Sequence, residues 1–128
     1  MPKKVLVVED HPDAREMLSI YLTSEGYAVV TAEDGQRGLQ VAEAERPDII
    51  ITNLNMPNLD GLELTKHIRQ RPDFGNVPIV VLSAITTEEP NVLIDAGASV
   101  VKTKPVELHE LVNVIRDALT NISDDQPN

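Results

Sequence analysis

Five short apolar runs, at residues 5–8, 28–30, 49–51, 79–82 and 100–101, are spaced along the chain with a longer segment after each. They are rich in Val and Ile, and continuous rather than alternating. Strands covered by helices on both faces of a parallel sheet read this way, because neither face meets water. The segments between them carry helical spacing. In the last, Leu108, Leu111, Val112, Ile115 and Leu119 recur at one-turn intervals. In the first, Ala14, Met17, Leu18, Tyr21 and Leu22 do the same. Pro12 suits the opening turn of that helix and Gly26 the position just past its end. Strand followed by helix, five times over, predicts an open three-layer α/β sandwich, (βα)5, with right-handed crossovers.

Composition narrows the reading. A chain of 128 residues makes about one domain. We assign residues 1–121 to it and residues 122–128 to a polar tail. Two Tyr and one Phe are the only aromatic residues, so the core has to be aliphatic. A net charge of −10 argues against a nucleic-acid binder. With no cysteine there is no disulfide and no thiolate chemistry. No apolar run approaches the roughly 18 residues of a membrane span. The start MPKKVLVV is too short in apolar length for a secretory signal. A cytoplasmic, membrane-free protein is the expectation.

Ligands of open parallel sheets bind at the carboxyl ends of the strands. Glu9 and Asp10 follow the first run, Asn53 the third, Ser83 and Ala84 the fourth, and Lys102 and Lys104 the fifth, with Pro105 behind. Taken singly, each has a plain structural role: acids favour a helix N-terminus, a serine makes a turn, and a lysine is a solvated charge. Taken together, they put two carboxylates, an amide, a hydroxyl and an amine on one rim. Carboxylates with backbone carbonyls suit a hard cation such as Mg²⁺. Lys and Ser beside them suit phosphoryl oxygens. His11 lies in the first loop, close enough to touch this site, and reads as a loop residue. His67 and His109 fall within helices at exposed or boundary positions.

The segments VLVVED, PDIIITNLNMPNLDG, PIVVLSA and GASVVKTKP, in this order and spacing, resemble the receiver domain of two-component response regulators. The likeness extends over about residues 3 to 120. It implies a flavodoxin-like fold with strand order 2-1-3-4-5, and a signalling module rather than an enzyme. It also implies a sensor histidine kinase or phosphotransfer protein as donor, and an effector reading the face of helix 4, strand 5 and helix 5. Carried over by residue, Asp10 and Glu9 are the metal acids and Asn55 supplies a backbone carbonyl to Mg²⁺. Ser83 and Lys104 engage phosphoryl oxygens, and Ser83, Ala84 and Val101 form the switch.

Asn53 falls on the phospho-acceptor position, where the family has Asp. An amide has no anionic oxygen to attack phosphorus and brings one charge less to the metal, so Mg²⁺ binding should be weak. Thr52 cannot replace it, since neighbouring strand residues face opposite sides. Val101 stands where the family usually has an aromatic ring. The fourth helix region, ITTEEPNVLIDAGA, looks short and carries Pro90, which only a first turn accepts. Two readings stay open: a phosphorelay receiver whose acceptor is exchanged for Asn, and a phosphate-independent pseudo-receiver acting by protein–protein contact. A dinucleotide enzyme is disfavoured, because the loop EDHPDA has no glycine to admit a pyrophosphate.

Overall fold

The computed structural model describes residues 2–84 and 90–124, with side chains through 120. The elements run β1 (Lys4–Val8), α1 (Pro12–Ser24), β2 (Ala28–Ala32), α2 (Gly35–Glu45), β3 (Ile49–Asn53), α3 (Gly61–Arg69), β4 (Ile79–Ser83), α4 (Pro90–Ala96), β5 (Val100–Thr103) and α5 (Leu108–Asp124). All pairings are parallel and the order is β2-β1-β3-β4-β5, as expected.

Strand alternation divides the core in two. Val5, Val7, Ile49, Ile51, Val80 and Leu82 face α1 and α5, where Leu22, Leu111 and Ile115 meet them. Leu6, Val8, Ile50, Ile79 and Val81 face the layer of α2, α3 and α4, with Ala42, Leu64, Ile68 and Leu93. The central strands β3 and β4 are buried at every residue, which is why their sequences are continuous rather than alternating. Edge strands β2 and β5 are only partly buried.

Local signals place the helix ends. Pro12 opens α1, where a missing N–H costs nothing. Gly26, at φ +98°, follows the last turn of α1. The five apolar positions expected of α5 all join the core. The expectation for α1 needs one correction. Leu18 and Leu22 are buried, but Met17 is 52% exposed and Ile20 63%. Helix α1 covers the sheet beside α5 through Leu18 and Leu22, with Tyr21 packed partly against them. Met17 and Ile20 instead line an open groove that continues to Leu108. The backbone helix of α5 extends to Asp124, into residues assigned above to the tail. Residues 85–89, part of the fourth helix region, and 125–128 lie outside the described residues.

Candidate functional site

Strands β1 and β3 are neighbours, yet the helix after β1 crosses one face of the sheet and the helix after β3 the other. The gap between their carboxyl ends is the switch point of the topology, where side chains from both loops meet an open crevice.

Glu9 sits there 3% exposed. Its Oε2 accepts the His11 backbone N–H at 3.0 Å, and its Oε1 lies 3.8 Å from Lys104 Nζ. Arg15 Nη1 donates to the Glu9 carbonyl at 2.9 Å, tying the first turn of α1 to the strand end. The Asp10 side chain is a quarter exposed. Asn53, buried at 4%, donates through Nδ2 to Asp10 Oδ1 at 3.2 Å. Asn53 Oδ1 is buried and has no hydrogen-bond partner, the one such side-chain atom among the described residues. Burying a carbonyl unpaired is costly, so the atom marks a place where a ligand would be welcome. The His11 ring completes the cluster, with Nδ1 3.6 Å from Glu9 Oε2 and 3.9 Å from Asp10 Oδ1. It touches the site from the first loop, as the sequence suggested, with its side chain 80% exposed. His67 and His109 are exposed on their helices, as expected.

The loop after β3 is held by backbone contacts. Leu54 N–H donates to Leu82 O, and Gly61 N–H to Leu54 O at 2.7 Å. Any Cβ on Gly61 would press into the Asn53 carbonyl, so only glycine lets α3 start this close to the site. Further out, Gly35 N–H donates to Leu59 O, and Asn58 Nδ2 reaches Asp34 Oδ2 at 2.8 Å. Asp34 also caps α2 by accepting the Arg37 N–H. The Arg37 backbone donor, and then Asn58, hold the Asp34 carboxyl below its ordinary pKa.

On the other side of the rim, Ser83 ends β4, buried at 4%, and its carbonyl accepts the Lys104 N–H at 2.7 Å. The Lys104–Pro105 peptide is cis. Ala84 and Asn55 are exposed in their loops. Val101 pairs in register with Val81 and packs into the α2–α3–α4 side of the core. Thr52 is fully buried and spends its hydroxyl on the Asn53 carbonyl. Direct contacts therefore join Glu9, Asp10, Asn53 and Lys104. Ser83 is tied to Lys104 through the backbone, while Asn55, Ala84 and Val101 stand around them.

Arg15 and the Asp34–Asn58 tether were not anticipated from the sequence. Asp34 had a signal, an acid directly before a helix start. Arg15 had none, because its target is a backbone atom.

The description of the response regulator receiver domain matches residues 5–116. The response regulator MprA of Mycolicibacterium vanbaalenii is 37% identical over 126 residues, covering 98% of this chain and 54% of that protein. The chain thus spans about half the length of the curated relatives it matches. The chemotaxis protein CheY4 of Vibrio cholerae superposes with a TM-score of 0.87 at 33% identity, over 92% of this chain and 99% of that one. The receiver domain of the sensor histidine kinase PA1611 from Pseudomonas aeruginosa, solved with a magnesium ion coordinated in its active site cleft, gives 0.85 at 29% identity over 94% and 99%.

Proposed function

The chain belongs to the response regulator receiver domains, modules of two-component signalling, and we propose that it is one whose pocket takes up no phosphoryl group. The observation that carries this is Asn53 at the end of β3, with its amide nitrogen turned to Asp10. Phosphoryl transfer needs an oxygen nucleophile there, and a carboxamide is not one.

The remaining pocket keeps the parts of a receiver. Glu9 and Asp10, with the Asn55 backbone carbonyl, would hold a divalent cation. The unpartnered Asn53 Oδ1 fits the same role, as a neutral oxygen ligand. Such an ion supplies positive charge to bound anionic groups. With one carboxylate fewer, Mg²⁺ binding is weak. Lys104 and Ser83 would face an anion on the other side, and Ser83, Ala84 and Val101 would pass its presence to the face of α4, β5 and α5. The partners are a sensor histidine kinase or phosphotransfer protein and a downstream effector at that face, in the cytoplasm. The Asn53–Asp10 hydrogen bond, which gives Asp10 a partner within the chain, supports a second reading, a pseudo-receiver that works by contact alone.

Mass spectrometry after incubation with a small acyl phosphate and Mg²⁺ tests the proposal. No adduct should form on this chain, and one should form on Asn53→Asp. An adduct on the unmodified protein at any residue of the pocket would overturn it.

A further inference from the structure

The two edges of the sheet differ. Strand β5 carries Lys102, whose Nζ lies 3.3 Å from Glu110 Oε2, and a charge on an edge strand discourages another strand from pairing with it. Strand β2 reads Ala-Val-Val-Thr-Ala, with no charge, proline or glycine along it. Half of its backbone is in use. Ala28 N–H donates to Lys3 O, and the Ala32 carbonyl accepts the Glu9 N–H, so residues 28, 30 and 32 turn their polar groups toward β1. Strand alternation then turns the N–H and C=O of Val29 and Thr31 outward, where no further strand of the described residues lies. This open edge lies in a groove between α1 and α2. The small Ser19 borders it on one side, and Arg37, Gln40 and Glu45 border it on the other. Next to Thr31 on the α1 side stands Ile20, 63% exposed.

The edge is complementary to itself about a twofold axis. With the axis at Val30, two β2 strands run antiparallel, and Val29 of one stands opposite Thr31 of the other. These are the residues whose backbone groups are open, and each facing pair exchanges both its N–H···O bonds. Both members of the pair are β-branched, which suits cross-strand packing. The charges follow the same axis. Arg37 and Glu45 lie about two turns apart on α2, with Val41 midway between them, and Val41 lines the same groove as Val30. An antiparallel partner brings the Arg37 of each copy to the Glu45 end of the other. Arg37 uses Nη1 for Gln40 Oε1, at 3.0 Å, and Glu45 uses Oε1 for Lys4, so each has other atoms to offer.

We propose that β2 is a docking edge for a second copy of this chain, joining two five-stranded sheets into one through antiparallel β2 strands. The association does not depend on the chemistry of the pocket, and it leaves the opposite edge, at β5, uncovered. A net charge of −10 on each copy opposes it, so the dimer is weak.

Sedimentation of the full chain over roughly 0.01–1 mM should show a monomer–dimer equilibrium. Arg37→Glu and Glu45→Arg should each weaken the dimer at least about fivefold, and the double exchange should restore it to within about twofold, since opposite charges meet again. Thr31→Pro removes an outward N–H and no bond to β1, and should abolish the dimer. The charge exchange lies on exposed side chains, and so tests the edge even where the proline disturbs folding. The chain has no cysteine, so Val30→Cys supplies a single thiol at the axis, where the Cα atoms of a non-hydrogen-bonded pair stand about 4.5 Å apart. With oxidised glutathione, it should give a disulfide-linked dimer at least about tenfold faster than Val92→Cys on α4. A chain that stays monomeric throughout, single exchanges without effect, a double exchange no better than the single ones, or a folded Thr31→Pro protein that still dimerises would overturn the proposal. Linkage at Val92 as fast as at Val30 would overturn it too, and would place the contact away from β2.

Discussion

The rim has two halves that are built differently. At β1 and β3, Glu9 and Asn53 are buried, and Asp10, His11 and Arg15 are joined to them by hydrogen bonds or close ionic contacts. At β4 and β5, Ser83 is buried, but Ala84 is exposed, Lys104 is about a third exposed and Val101 packs away into the core. The first half is a polar network of direct side-chain contacts that leaves Asn53 Oδ1 without a partner. The second has fewer direct contacts between its side chains. Under the proposed function the pocket and its readout rest on different strands, so each can be tested without the other.

The comparison breaks first if the β3 loop can relax. Gly61→Ala forces a Cβ against the Asn53 carbonyl and should cost about 1–3 kcal/mol in denaturant unfolding. NMR shifts should concentrate at residues 53–54. A neutral substitution with no shift there would mean that the first half is not held by close approach.

Asn53→Asp sharpens it next. A third carboxylate beside Asp10 and Glu9 adds like-charge repulsion. The metal-free variant should melt lower, by about 1 kcal/mol of stability. The gap should narrow with Mg²⁺, which binds only the folded form. Equal melting points with and without metal would count against a crowded first half.

The second half is tested in the same Asn53→Asp background. With a beryllium fluoride adduct in place, amide exchange over residues 90–106 should change little, because Val101 has no ring to move. Adding Val101→Tyr should enlarge the change a few-fold, as a switch responds only to a difference between its states. A full response with Val101 present would show that the aromatic ring is dispensable here.

The smallest effect concerns the tether of the β3 loop. The folded Asp34 pKa is depressed, by the Arg37 N–H and then by Asn58. Its contribution to stability is therefore present above the unfolded value and lost as pH falls through the folded one. Asn58→Ala should raise the Asp34 pKa toward normal in an NMR titration, leaving Lys104 and Val101 resonances still. No change in the Asp34 titration would remove Asn58 as a cause.

The sequence by itself determined the strands, their parallel burial, the inner face of α5 and the order of polar residues along the rim. These depend on patterns within a few residues, where period and strand-end position carry the information. It also put Asn53 at the end of the third strand, and only the family resemblance made that the acceptor position. Tertiary structure decided the rest. Met17 left the core because the neighbouring helix and sheet, not the periodicity of α1, set how wide a stripe is covered. Lys104 reached Glu9, and Asn58 reached Asp34, across separate crossovers. Gly35 and Gly61 became irreplaceable only where another backbone comes against them. His11 Nδ1 came to 3.6 Å from Glu9 and 3.9 Å from Asp10 only once the turn after β1 formed. Such contacts join residues distant along the chain, or depend on how a loop turns, and no local spacing encodes them.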